Sequence, residues 1–458
     1  MHVLKYGCGY DTIYIQGMLL SKKTEHGGFG KMKTFTPADI LLPADGLEYM
    51  KWAVVACDQY TSDENYWKKT KKLVGDAPST LSMTLPEIYL TKRGKERRIE
   101  EVNEKMRENL DTGKFKTVVN SFIYLERTLS DGSVRKGLIG KLDLEDYSYE
   151  KGSKTLVRAT EGTVIDRLPP RVEIRKNAPI EFPHVMVLID DPERTVIEPL
   201  TEKSSDFAKL YDFDLMHGSG HVKGWIVRTD AAQTAMKALD RLGSRYVFNK
   251  KYGFKNRKPL VFAIGDGNHS LAAAKSCWEQ IKKGLSPEEA ENHPARYALV
   301  EIVNLHDDSL NFEPIHRVVF GADAARMTAA LAGYFSDIKI SADKSENTED
   351  RQVFVMLTGS GKQYVSVAPE KSNLAVGSLQ SFLDDYLKKE DGTIDYIHGD
   401  DVVEKLCGER GCVGFLLPPV SKNELFKTII LDGVLPRKTF SMGHAQDKRF
   451  YLEGRKIR

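Results

Sequence analysis

The segment Val261-Phe-Ala-Ile-Gly265-Asp266-Gly267-Asn268-His269-Ser270-Leu271-Ala-Ala-Ala-Lys275 constrains this chain more than any other. Its apolar start reads as a buried strand, and its end begins a helix with Leu271, Ala274, Trp278 and Ile281 on the core face. Between them Gly265 and Gly267 permit a turn with positive φ and close approach of a ligand. Strand, turn and helix in this order put amide donors and three polar side chains at one helix N-terminus. Such an end carries partial positive charge and suits phosphate or carboxylate. Asn268 or Ser270 is expected to cap the helix. Asp266 is expected to hold a metal or orient a base, and His269 to donate to a phosphoryl oxygen or transfer a proton. The plainer reading makes Asp266 and Asn268 turn formers and His269 a packed side chain. Gly265-x-Gly267-x-x-Ser270 is also a degenerate dinucleotide fingerprint, with Ser in place of the third glycine.

The rest of the chain alternates short apolar strands with amphipathic helices. Strands are expected at 53–56, 118–127, 137–144, 185–189 and 297–303, with a hairpin turn at Ser130-Asp-Gly-Ser133. Helices are expected from Ser62, over 99–109 and over 231–242, and Ser286-Pro-Glu-Glu289 has a capping-box pattern. Beyond residue 320 strands (338–340, 353–357, 364–367, 413–417) alternate with helices (378–389, 402–407, 422–432). The fold class is α/β of mixed α+β type: a mixed sheet with flanking helices plus a smaller C-terminal α/β layer. The expected organisation is a tag-like or mis-started extension over 1–31, a main domain over 32–320 and a smaller domain over 321–458.

Composition excludes several classes. Lys plus Arg number 67 and Asp plus Glu 65, a net charge of +2, so no basic surplus advertises nucleic acid. No apolar run reaches the roughly 20 residues of a membrane helix. The five cysteines are scattered without a C-x-x-C pair, which fits a reducing cytoplasm. The expected partner is a small molecule, and nothing in the sequence sets the oligomeric state.

Three further constellations could carry chemistry. In Arg158-Ala-Thr-Glu161-Gly-Thr163-Val-Ile-Asp-Arg167-Leu-Pro-Pro-Arg171-Val-Glu173-Ile-Arg175 four arginines suit planar anion recognition. Read as a strand, Arg171, Glu173 and Arg175 share one face, and Glu161 has a polar setting for a general base. The alternative is a solvated strand face with Arg–Glu cross-pairs. Asn304 to Arg317 gathers His306, His316, three carboxylates and Arg317 near a strand end, without standard zinc spacing. Leu435 to His444 sets Arg437 and Lys438 beside hydroxyls, suited to an anion or to an exposed basic tail. Gly359-Ser-Gly-Lys362 imitates a P-loop ending but reads as a hairpin turn, and His217-Gly-Ser-Gly-His221 reads as a lid or turn.

Four motifs together resemble the prokaryotic family called domain of unknown function 1015. They are Asp266-Gly-Asn-His269, Arg158-Ala-Thr-Glu161-Gly-Thr163, Phe312-Glu-Pro-Ile-His316-Arg317 and Pro436-Arg-Lys438-Thr439, and the likeness spans most of Met32–Arg458. A more distant resemblance links the strand–turn–helix to the Asp-Gly-His-His-Arg element of the fold shared by ParB proteins, sulfiredoxin and free-serine kinases. In those kinases the element meets nucleotide phosphates and a Glu activates the serine hydroxyl. Asp266, Gly267 and His269 match, whereas Asn268 replaces the first His and Ser270 the Arg. The resemblance thus implies that Arg167, Arg171 or Arg317 supplies the missing charge.

The expectation is a nucleotide-dependent phosphotransferase acting on a small hydroxylated metabolite, free serine first. ATP or ADP and Mg²⁺ are the implied cofactors, with Asp266 as metal ligand or acceptor-orienting group. Glu161 would take the hydroxyl proton, His269 would contact phosphate, and Arg171, Arg175 and Arg317 would neutralise charge. Arg158, Arg167, His316, Arg437 and Lys438 join Gly265, Gly267, Asn268 and Ser270 as candidate phosphate or nucleotide contacts. A non-catalytic nucleotide or metabolite sensor and a phosphate-ester hydrolase are the rival readings.

Overall fold

The computed structural model describes residues 12–13, 32–90, 92–162, 168–182, 184–348, 350–408 and 412–458. The expectation for residues 1–31 lies outside them, apart from Thr12–Ile13, which pair in parallel with Thr117 and Val118. Among the described residues no helix is long and apolar enough to cross a membrane.

The chain divides into two compact units. Unit 1 comprises Met1–Ala159, Thr163–Leu310 and His444–Arg458, and unit 2 comprises Thr160–Gly162 and Asn311–Gly443. The division departs from a single boundary at 320/321, because the last residues return to unit 1. There Phe450–Tyr451 pair with Val54–Val55, and Arg455–Lys456 with Ile180–Glu181.

Unit 1 is built on a ten-stranded mixed sheet. Its strands are β1 (Phe35–Thr36), β2 (Ile123–Thr128), β3 (Val134–Asp143), β4 (Tyr147–Ser148), β5 (Val157–Ala159), β6 (Met186–Ile189), β7 (Ala208–Asp214), β8 (His221–Ile226), β9 (Phe262–Asp266) and β10 (Tyr297–Asn304). Their order is β7-β8-β2-β3-β10-β6-β9-β5-β4, with β1 on β3. β6 runs parallel to β10 and β9 parallel to β5, while β6 and β9 are antiparallel. The hairpin joining β2 to β3 forms where the Ser130–Ser133 turn predicts it.

Helices flank this sheet for the reasons their spacing gives. α1 is Leu168–Lys176 and α2 is Asn268–Lys282. α2 buries Leu271, Ala274 and Trp278 on one face, and Trp278 donates to Glu145 at 2.5 Å. Helix Thr229–Leu242 buries Ala232, Ala235, Met236 and Leu239 in the same core as Phe262 and Val300. A second core gathers Trp52, Trp67, Met106, Phe182 and Tyr451. The capping box at Ser286 and Glu289 is complete.

Two local expectations are corrected. The apolar run 118–127 is two strands, Phe115–Ser121 in a small second sheet with Ala38–Pro43, and β2 in the main one. Asn120 at φ 45° breaks the run, and buried Phe122 stacks on Phe35 with ring centroids 5.2 Å apart. Arg171 to Arg175 is α1, not a strand. Pro169 and Pro170 suit a first helical turn, and Leu168 and Val172, four apart, are its buried residues. Arg171 and Arg175 therefore share a helix face from which Glu173 is turned away.

Unit 2 has a six-stranded sheet: β11 (His316–Phe320), β12 (Ile338–Ser341), β13 (Gln352–Thr358), β14 (Gly361–Val367), β15 (Thr393–Ile397) and β16 (Cys412–Leu416), in the order β12-β14-β13-β16-β11-β15. Gly361 pairs with Thr358, so the P-loop look-alike is the β13–β14 hairpin. Helix Lys422–Asp432 has the bounds its pattern predicts.

Candidate functional site

In unit 1 a cavity of about 160 Å³ lies where three chain segments end beside α2. Asp58 follows the Val54–Val55 strand, His184 precedes β6, Ser270 lies in the first turn of α2, and Tyr451 comes from the returning C-terminal strand. His184 organises these groups. Its Nε2 is 3.2 Å from Asp58 Oδ2 and 3.2 Å from Ser270 Oγ, and its Nδ1 is 3.1 Å from the Tyr451 hydroxyl. That hydroxyl accepts the Cys57 amide at 3.0 Å, and Asp58 Oδ1 accepts from Gln59 at 3.0 Å. Asp266 joins from the end of β9, its Oδ1 accepting the Gly267 amide at 3.0 Å and its Oδ2 lying 3.3 Å from Lys448. Gly267 is required here: its φ is +80°, and an added Cβ would meet the Val185 backbone at 3.1 Å.

The electrostatics follow from this packing. Burial pulls the His184 imidazole down, but the Asp58 carboxylate beside it wins and raises it. Burial pushes Asp58 up, and His184 reverses that and holds the carboxyl below its ordinary range. Both shifts favour the carboxylate–imidazolium form of the pair. Glu87, which accepts from Arg171 at the cavity wall, is raised by burial. Burial pushes the Cys57 thiol up to about 12, so it is no thiolate nucleophile.

The predicted residues fall into distinct settings. Gly265, Asp266, Gly267, Asn268, His269 and Ser270 form the strand–turn–helix as read. Neither Asn268 nor Ser270 caps α2 through its side chain; Gly267 takes the cap position in left-handed conformation. Asn268 Nδ2 turns back to Ile264 O at 3.4 Å and Ser270 turns to His184, which is why the caps fail. Arg171 meets Glu87, and Arg175 meets buried Glu181 at 2.5 Å. Arg158 is buried and donates to the carbonyls of Thr155, Lys258 and Pro259, so it ties backbone together. Arg167 lies outside the described residues.

Both oxygens of Asp266 have protein partners, and no group of three His, Cys, Asp or Glu that could hold a metal occurs among the described residues.

Unit 2 brings three of the sequence motifs together. Leu435 N donates to Thr160 O at 2.7 Å, and Glu161 bridges Leu435 in parallel, which docks the Thr160–Gly162 segment beside the Pro436–Thr439 motif. Fully buried Arg317 donates to Gln380 Oε1 at 3.2 Å, to Arg437 O at 3.0 Å and to Ile315 O. Arg317 and Arg437 both lie over the Tyr396 ring, 5.2 and 5.6 Å from its centroid. Burial lowers Arg317 to about 10. His316 points the other way along β11, accepting Leu417 N at 3.1 Å and lying 2.7 Å from Asp400. Lys438 holds a positive φ of 56°.

A family model described as "Protein of unknown function (DUF1015)" matches residues 41–386. The chain belongs to this family. Among solved structures it is distantly similar to a free serine kinase in complex with AMP, at 11% identity and TM-score 0.36 over 69% of this chain and 90% of that one. It is likewise similar to a conserved hypothetical protein from Pyrococcus furiosus, at 11% identity and TM-score 0.34 over 69% and 94% of the two chains. A third is C-terminally truncated SbnI from Staphylococcus aureus, at 9% identity and TM-score 0.34 over 68% and 85%. A comparison with curated proteins gave no match.

The DUF1015 match takes in Asp58, Glu161, His184, Asp266, Ser270 and Arg317, and stops before Arg437, Lys438, Lys448 and Tyr451. Asp58 and His184 had no role in the sequence analysis, although they flank the strands expected at 53–56 and 185–189. The available signal was position, since loops at strand ends commonly carry ligand groups. Tyr451 and Lys448 had no local signal.

Proposed function

We propose that this protein is a nucleotide-dependent phosphotransferase for a small hydroxylated metabolite, free serine first, working at the unit 1 cavity. The observation that carries the reading is the Asp58–His184–Ser270 cluster at the N-terminal turn of α2, beside Asp266 and Lys448. A volume of about 160 Å³ is below the roughly 300–1,000 Å³ of pockets that enclose a drug-sized ligand. It suits an acceptor of amino-acid size, and the nucleotide must lie largely beyond it. Apolar walls (Met83, Leu85, Ile180, Phe182) with a few convergent polar groups are the ordinary make-up of such a site.

Phosphoryl transfer asks for positioning and charge neutralisation more than for covalent chemistry. Asp58 accepts the proton of the attacking hydroxyl. A weak base suffices where the transition state is loose. The His184 imidazolium holds Asp58 in place and adds positive charge, and Ser270 orients the hydroxyl. Lys448, Arg171 and the amide end of α2 face the charge on the transferred group. The acceptor oxygen bonds to phosphorus as the bridging bond to the leaving nucleotide breaks. We assign the base to Asp58 because it is paired with an imidazolium inside a cavity. Glu161→Gln tests the other assignment.

The experiment is incubation of purified protein with ATP or ADP, Mg²⁺ and a panel of amino acids and sugars, read by mass spectrometry. A phosphorylated hydroxyl compound is expected, and Asp58→Asn should slow its formation by about 10²–10⁴-fold. Phosphate released without any acceptor would mark a hydrolase instead. Thermal stabilisation by nucleotide without turnover, surviving Asp58→Asn, would mark a sensor. If no nucleotide is consumed and none raises Tm, the reading is wrong.

A further inference from the structure

A second and larger cavity of unit 1, about 860 Å³, is lined by residues of helix Glu64–Val74, helix Lys95–Asp111 and the short turns between them. It shares Thr84 and Leu85 with the Asp58 cavity, so a two-residue stretch of chain contributes to the walls of both. Its volume is in the range that encloses a nucleotide-sized ligand.

Its charges are unbalanced. Lys105 is paired with Glu108 at 2.8 Å, and Glu101 with Arg97 at 2.9 Å. Lys71, Arg98 and Lys114 have no ion pair among the described residues, and Asp76 is the one lining carboxylate without a partner. Three cations against one carboxylate favour an anionic ligand. The Tyr89 ring, with the Arg98 guanidinium 5.0 Å from its centroid, gives a planar platform of the kind on which a base stacks. Asn109 supplies an independent observation. It is 3% exposed, lines this cavity, and its Nδ2 has no hydrogen-bond partner. A buried donor left unmet is destabilising, and an acceptor on a bound ligand would satisfy it.

We propose that this groove binds the nucleoside phosphate. A ring nitrogen of the base accepts from Asn109 Nδ2, the base lies against Tyr89 and Arg98, and the phosphates meet Lys71 and Lys114. The inference rests on the phosphotransferase reading for its choice of anion, and it names the second substrate's seat.

Binding of ADP, AMP, adenosine and inorganic phosphate to the full chain is measured by calorimetry, with turnover assayed separately. ADP should bind at least tenfold tighter than inorganic phosphate. Arg98→Glu and Lys114→Glu should each weaken ADP about tenfold or more. Asn109→Leu should weaken ADP yet raise the Tm of the ligand-free protein, because it removes the unmet donor. ADP affinity insensitive to Arg98→Glu, Lys114→Glu and Asn109→Leu overturns the inference, whether or not turnover is found. Equal binding of ADP and inorganic phosphate overturns it too, by showing a plain anion patch. Sensitive ADP binding with no turnover on any acceptor supports the groove and sinks the transferase reading.

Discussion

Two buried cations of this protein are held in opposite ways. His184 in unit 1 faces a carboxylate, two hydroxyls and a cavity, and its charge depends on the Asp58 beside it. Arg317 in unit 2 is fully buried and donates to two main-chain carbonyls and a glutamine amide, with the Glu161 and Asp384 carboxylates near enough to raise it against burial. The groups that accept from this guanidinium are neutral and take no proton from it. An imidazolium between a carboxylate and hydroxyls can both hold and move one. The first arrangement suits chemistry and the second suits clamping Ile315 and Arg437 together.

The largest effect that could break this contrast is on turnover. Asp58→Asn should lower the transfer rate by about 10²–10⁴-fold, whereas Arg317→Met should leave the rate per folded molecule within a few-fold; steady-state kinetics on the two variants decides. If Arg317→Met loses as much as Asp58→Asn, the clamp is a working residue. Stability comes next. Arg317→Met strands buried carbonyls and should cost unit 2 about 1–3 kcal/mol, read by denaturant unfolding.

A smaller effect distinguishes the two cations by pH. His184 is raised in the folded state, so its contribution is whole below its ordinary value of about 6.5 and is lost as pH rises through the folded one. Asp58 is lowered, so its contribution is whole above about 4 and is lost as pH falls through the folded value. The stability difference between wild type and His184→Gln should therefore peak between about pH 4 and 6.5 and shrink on both sides. The corresponding difference for Arg317→Met should show no loss as pH rises through about 6.5, since burial lowers Arg317 only to about 10. Smallest of all, Ser270→Ala should shift stability by less than about 1 kcal/mol while raising the KM for the acceptor. An unchanged KM would remove Ser270 from the site.

What the sequence disclosed depended on how local the cause was. The strand–turn–helix at 261–275 was legible because apolar period, glycine pair and helical face all lie within one short stretch. The mixed sheet with flanking helices and the smaller C-terminal layer followed from the same kind of pattern. Arg171–Arg175 misled because Val172 and Ile174 alternate as in a strand while Leu168 and Val172 repeat as in a helix, and Pro169-Pro170 decides for the helix. The His184 cluster was not legible as a cluster, although Ser270 was among the candidates and Asp58 and His184 flank expected strands. Its partners are distant in sequence, Tyr451 by 267 residues, and each alone is an ordinary polar residue at a strand end. The pairing of Phe450–Tyr451 with Val54–Val55 brings Tyr451 to the Asp58 strand, and the pairing of β6 with β9 brings His184 to the Ser270 turn.

That pairing also sets a timetable. Tyr451 and Lys448 follow all of unit 2 in the chain, yet Tyr451 lines the cavity and meets His184, and Lys448 pairs with Asp266. During synthesis the cavity stays open on that side until the ribosome has passed Asn311–Gly443. A copy terminated anywhere in that stretch would lack both residues. Activity at this site would thus report that the whole of unit 2 had been translated, and incomplete copies would stay silent.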